Sequence, residues 1–209
     1  MRQALADHWE FFRQFRDRFE TTGAIAPSGR QLAQTLCRPL VARTGPRRIL
    51  EIGPGTGAVT ARIVENLRDG DRFDLVEINE QFALGLQDRF ATRWAAAAAQ
   101  SHVHCTDLES FEGGPYDVIV SGLPFNNFPT DLVTRLLDRS IDLLAPGGTL
   151  SFFEYLYVRP VRRRLGKRKD RLRLTRIDRR LARGSAAHGG TIDRVFINVP
   201  PACVRHLKR

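Results

Sequence analysis

Short apolar runs alternating with amphipathic stretches organise most of this chain. Strand-like runs fall at 47–52, 73–78, 102–105, 117–121 and 149–156, with helical periodicity at 58–68, 80–98 and 131–144. Such alternation predicts a mostly parallel sheet with helices on both faces. Ahead of the first strand, residues 4–20 form an amphipathic helical pattern, with Leu5, Trp9, Phe12 and Phe19 on one side and Phe11 and Phe15 beside them. A loop at 21–29 follows, in which Ser28 is placed to cap a helix from Arg30 to about Val41. The alanine run at 95–99 extends the helix before it. At the other end, 162–183 has a helical pattern, and strand patterns at 191–199 and 202–207 are joined by Pro200-Pro201, which favours a hairpin. The expected fold is therefore α/β and doubly wound: a seven-stranded, mostly parallel sheet with a terminal antiparallel hairpin. Residues 1–44 form an N-terminal helical extension and 45–209 the main domain, without internal repeats.

Composition narrows the classes. A chain of 209 residues with 42% hydrophobic content suits one folded domain. Cys37, Cys105 and Cys203 are odd in number and widely spaced, matching neither a disulfide framework nor a zinc site, so no metal is expected. No apolar run approaches membrane-spanning length, and Asp7 and Glu10 interrupt any signal-peptide core. A soluble or peripheral protein of the reducing cytoplasm is the expectation. The net charge of +10 is concentrated: from Arg159 to Arg183 thirteen Lys and Arg face only Asp170 and Asp178. A solvated face normally mixes signs, so this +11 block implies a polyanionic partner, nucleic acid or anionic lipid.

The chemistry starts at Ile49-Leu50-Glu51-Ile52-Gly53-Pro54-Gly55-Thr56-Gly57. An apolar strand running into three alternate glycines and then a helix is the first βα turn of a nucleotide-binding domain. Glu77, at the end of the second strand, is placed to accept both ribose hydroxyls of a nucleoside, and Asp107, after the third, to accept from an adenine amine. Singly these signals are weak. Gly53-x-Gly55-x-x-Ala58 also fits a dinucleotide fingerprint, and acids at strand ends often only cap helices. Together they are stronger, and Glu51 is positioned to attract a cationic amino group.

These residues resemble the class I S-adenosylmethionine-dependent methyltransferases. The resemblance, over about 45–209, implies a Rossmann-like methyltransferase fold and S-adenosylmethionine as cofactor, leaving as S-adenosylhomocysteine. It assigns cofactor binding to Glu51, Gly53, Gly55, Gly57, Glu77, Ile78, Asp107, Leu108, Ser121 and Gly122. Within that class the stretches 21–28, 121–129 and 153–155 look like the bacterial phospholipid N-methyltransferases, which carry phosphatidylethanolamine towards phosphatidylcholine. Relatives act on ornithine lipids, and the rRNA adenine dimethyltransferases are neighbours. In the rRNA enzymes an asparagine opens the fourth motif where this chain has Gly122, and a helical RNA-binding domain follows the sheet, whereas this chain ends at Arg209. Both departures count against RNA.

The implied reaction is methyl transfer to a lipid headgroup amine, by an enzyme peripheral on the inner face of the cytoplasmic membrane. Glu154, Tyr155 and Asn126 are the candidates to deprotonate or orient the amine. Tyr155 and Tyr157 have rim packing as an equal alternative, and Asn126-Asn127 a plain polar loop before a helix capped at Thr130. Trp9 and Phe12 on the first helix, with Tyr157, Arg159, Arg162 and Arg163, are the candidates for lipid contact and phosphate grip, although the helix aromatics could simply pack on the sheet. His8 and His104 have no partner visible in the sequence and are taken as structural. An ornithine-lipid enzyme and an rRNA adenine enzyme are the alternative functions. A basic adaptor with a vestigial site is a third, opposed by the intact glycines, Glu77 and Asp107. The oligomeric state is left open.

Overall fold

The computed structural model describes residues 27–123, 125, 128–156, 175–176, 179, 189–197 and 201–209. Trp9, Phe12, Asn126, Tyr157, Arg159, Arg162 and Arg163 lie outside the described residues, as does nearly all of the basic block.

Seven strands form one sheet: β1 (Arg48–Ile52), β2 (Arg72–Glu77), β3 (Ser101–Cys105), β4 (Tyr116–Ser121), β5 (Leu144–Tyr155), β6 (Thr191–Val195) and β7 (Ala202–Lys208). Their order is β3-β2-β1-β4-β5-β7-β6. The first five are parallel, and β7 runs antiparallel to both β5 and β6. This is the expected doubly wound sheet with its terminal hairpin. The strand order reverses between β1 and β4, so a crevice opens beyond their carboxyl ends.

Helices α1 (Pro27–Leu36), α2 (Arg38–Ala42), α3 (Ala58–Val64) and α4 (Glu80–Ala91), with a 3-10 turn at Ala95–Gln100, accompany one face of the sheet; α5 (Thr130–Asp142) covers the other. Side-chain alternation along each strand divides the core accordingly. Leu50, Ile52, Val76, Ile119 and Phe152 join the α5 side, while Ile49, Leu75, Val118, Val120 and Phe153 join the α1 side. Leu32, Leu36 and Leu40 are buried in that second cluster, so the last part of the N-terminal extension is integral to the core.

Local departures from expectation have local causes. The helix expected from Arg30 to Val41 is two pieces, because Pro39 has no N–H to donate into the helix and the chain reorients at Cys37. That first piece has already begun at Pro27, so Ser28 is not its cap. The alanine run forms a separate 3-10 turn, and the helix starting at Thr130 has no side-chain cap bond. His104 has a partner after all: its Nε2 lies 2.7 Å from Asp74 Oδ1, on the adjacent strand, and Tyr116 Oη donates to Asp74 Oδ2 at 2.9 Å.

A buried ion pair locks the amino-terminal edge of the sheet. Arg47 and Asp71 side chains are both fully buried; Arg47 Nε donates to Asp71 Oδ1 at 3.1 Å, and its other nitrogens reach Asp71 Oδ2 and the carbonyls of Leu40 and Asn66. Burial alone would raise the Asp71 carboxyl, but bonds from the Arg47 side chain and from the Arg68 and Arg47 backbones outweigh it and hold it below its usual 3.8. Stability from this group is present above that value and is lost as the pH falls through the depressed folded value. Asp71→Ala leaves the guanidinium buried without its counter-ion and should cost about 3–5 kcal/mol, read by urea unfolding. An unchanged midpoint would contradict this role.

Candidate functional site

The strand ends at the order reversal are tied to one another by backbone. Gly53 N–H donates to Val76 O at 2.9 Å and Gly122 N–H to Ile52 O at 2.8 Å, so the tips of β2, β1 and β4 meet. Gly53, Gly55 and Gly57 have φ of +65°, +56° and +79°, a left-handed backbone that side-chain-bearing residues rarely adopt. The loop they form turns straight into α3, and its glycine amides are held by protein acceptors: Gly53 by Val76 O, Gly55 by the Glu77 carboxylate and Gly57 by Pro54 O. A Cβ at Gly122 would come 2.6 Å from the Gly53 carbonyl oxygen. Gly122 is therefore a packing requirement of the β1–β4 junction, and an asparagine does not fit there without moving the glycine turn.

Beneath the turn, Glu77 is fully buried, and its carboxylate accepts the Gly55 N–H at 2.9 Å and the Asn79 N–H at 2.9 Å. This carboxylate thus holds the glycine loop and the start of α4 together. Glu51 is also fully buried and accepts the Thr60 hydroxyl of α3 at 2.7 Å. Its charge acts from below the loop, on the α1 face of the sheet.

On the α5 face a cleft opens, lined by Ile52, Gly53, Val76 and Ile78 together with Leu123, Phe128 and Leu132. Asp107, Leu108 and Glu109 border it, with Asp107 Oδ1 also accepting the Ser110 N–H at 2.8 Å. A flat apolar slot bordered by a carboxylate suits a purine with an exocyclic amine. Ile78, Asp107 and Leu108 thus converge here with Gly53, while Glu51, Glu77 and Ser121 support the site from within; Ser121 Oγ accepts the Leu123 N–H at 3.3 Å. The residues present fit S-adenosylmethionine: a turn whose backbone can approach a ligand closely, an acid at each of the first three strand ends, and a slot for the base.

Two of the three catalytic candidates point apart. Glu154 and Tyr155 are neighbours on β5 and so point to opposite faces. Glu154 lies on the α5 side, 3% exposed, and accepts from Arg205 Nε at 2.8 Å. Tyr155 lies on the α1 side with Glu51 and packs edge-on against Phe153, with ring centroids 5.3 Å apart. Burial pushes the Tyr155 phenol up to about 12. It stays protonated at neutral pH and can donate a hydrogen bond, not act as a base.

Several supporting residues carry no motif. Arg89 of α4 donates to the Thr56 carbonyl and lies over the Trp94 ring, clamping the glycine loop from the side. A Cβ at Gly57 would meet both of these side chains at 3.0 Å. The walls Phe128, Leu132 and Leu136 come from α5 and the loop before it; the amphipathic pattern at 131–144 signalled a buried face, but not that the face closes a ligand slot.

Comparison with known proteins agrees with this geometry. A family model described as a methyltransferase domain matches residues 50–150. An ornithine lipid N-methyltransferase of Singulisphaera acidiphila is 30% identical over 149 residues, covering 70% of this chain and 77% of that protein. A ribosomal RNA small subunit methyltransferase A of a Synechococcus species is 33% identical over 98 residues, covering 46% of this chain but only 34% of that protein. An O-methyltransferase from Bacillus cereus, solved with S-adenosylhomocysteine, shares the fold with a TM-score of 0.66 at 16% identity, over 98% of this chain and 91% of its own. The glycine turn, its three strand-end acids and the relative matched across most of its length place this chain in the class I S-adenosylmethionine-dependent methyltransferases.

Proposed function

We propose that this methyltransferase transfers methyl groups to the amine of a membrane lipid headgroup, with phosphatidylethanolamine or an ornithine lipid as the acceptor. The observation that carries this reading is the 30% identity to an ornithine lipid N-methyltransferase across 77% of that protein's length. Two features of this chain support it. The +11 block at 159–183 suits an anionic bilayer, where each basic residue near the surface contributes about 1 kcal/mol. Gly122, whose position leaves no room for a side chain, departs from the asparagine of the rRNA adenine enzymes. No helix among the described residues is long and apolar enough to cross a membrane. A peripheral attachment on the cytoplasmic face is the localisation proposed here.

When bound, S-adenosylmethionine supplies an activated methyl group, so the chain's task is alignment and exclusion of water. Glu77 and the glycine turn would hold the ribose and the chain beside it, Asp107 and the Ile78–Leu108 slot the adenine, and Glu51 the cationic end. The acceptor amine must arrive or become unprotonated. Tyr155, neutral and on the Glu51 face, is suited to orient it. Glu154 would take the proton only by sharing its carboxylate with Arg205. Asn126 and Tyr157 keep their proposed roles toward the acceptor, and Trp9, Phe12, Arg159, Arg162 and Arg163 theirs toward the lipid.

Labelled S-adenosylmethionine offered with anionic vesicles containing phosphatidylethanolamine or an ornithine lipid should label the lipid; label appearing only in rRNA would overturn the reading. Glu77→Ala removes the acceptor of two backbone donors and should weaken cofactor binding at least about tenfold by calorimetry, without changing vesicle association. Cofactor affinity equal to wild type would contradict the role given to Glu77. Tyr155→Phe should lower kcat while leaving the pH dependence between pH 6 and pH 9, roughly, unaltered, because the phenol does not titrate there. A basic limb lost in that variant would make Tyr155 the proton acceptor instead.

A further inference from the structure

The β6–β7 hairpin ends on the same edge of the sheet as the site, and two apolar residues follow β6 there. Phe196 and Ile197 follow Val195 directly and are 62% and 67% exposed, the two most exposed large apolar residues among those described. Strand register fixes where they stand. Ile52 pairs with Ser121 and Ser121 with Phe152, whereas Tyr155 pairs with Ala202 and Ala202 with Val195. The hairpin therefore overtops the end of β1 by three residues, about 10 Å along the strand direction. It forms a raised margin on the same edge of the sheet as the cofactor crevice.

Basic residues flank this margin in the sequence. Arg194 precedes the tip and is exposed. Leu156 N–H donates to the Pro201 carbonyl at 2.8 Å, so the chain leaving β5 is pinned to the foot of the tip, and thirteen Lys and Arg begin three residues later at Arg159. Two apolar side chains are far too few for a stable protein interface, which takes about 800 Å² per partner. They suffice for a bilayer, whose acyl boundary accepts isolated side chains while its headgroups accept the arginines.

We infer that Phe196 and Ile197 insert into an anionic membrane and hold the crevice edge of the sheet towards the lipid headgroups. This rests on the lipid reading proposed above and adds the surface that orients the enzyme. Charge would bring the protein to the bilayer, and the tip would set which edge faces it. A headgroup amine then reaches the strand ends without leaving the membrane surface.

The test uses the full chain and vesicles of phosphatidylglycerol and phosphatidylcholine, which contain no primary amine to methylate. In flotation, the double variant F196S/I197S should bind at least about tenfold more weakly than wild type while keeping its cofactor affinity by calorimetry. Phe196→Trp should add a tryptophan emission component, relative to wild type, that shifts to the blue when vesicles are added. Wild-type binding by the double variant, a Phe196→Trp signal indifferent to vesicles, or a wild-type protein that ignores vesicles and binds RNA or another protein would each overturn the inference. The outcomes separate it from the proposed function. Tip-dependent binding without methylation of any lipid sinks the acceptor and leaves the tip, whereas lipid methylation with tip-independent binding sinks the tip alone.

Discussion

The constraint on which the site depends is a backbone contact. The Gly53 carbonyl occupies the space that a side chain at 122 would need, and the Gly122 amide is bonded to Ile52. Through this junction the ends of β1 and β4 meet where the strand order reverses, so the glycine turn, the floor of the slot and the start of the acceptor loop share one fixed frame. Gly53 in turn is closed over by Leu123, which would lie 2.5 Å from a Cβ there. Gly53 and Gly122 are both required at this junction before any ligand is considered.

Around that junction, carboxylates do structural and chemical work together. Glu77 carries the Gly55 and Asn79 amides, and Glu51 carries the Thr60 hydroxyl, each from a buried position. A buried carboxylate is tolerable only when hydrogen-bonded. These bonds hold the acids aimed while the loop above them is shaped. Preorganisation is what a methyl transfer asks of its protein, since the activation energy stored in the cofactor is useful only if the acceptor is in line.

Much of this was legible from the chain. The glycine spacing and the acids ending strands β1 to β3 are local signals, and they gave the fold and the cofactor. What stayed hidden is non-local. His104 seemed partnerless because Asp74 is thirty residues away and becomes its neighbour only through β2–β3 pairing. The Arg89–Thr56 clamp and the Arg47–Asp71 pair depend on how helices and edges pack. Glu154 and Tyr155 were both candidates at the end of the fifth strand, and a strand puts adjacent residues on opposite faces. The role of Gly122 was noticed as a missing asparagine, and the structure adds why nothing larger fits.

The central claim is that this cofactor cradle serves a lipid amine. Mass spectrometry of total lipid extracts, from one host with and without the protein, tests it most directly. The account predicts an amine-bearing lipid class that gains successive methyl increments only when the protein is present, and loses them with Glu77→Ala. Identical lipid profiles, alongside newly methylated adenine in the host rRNA, would contradict it.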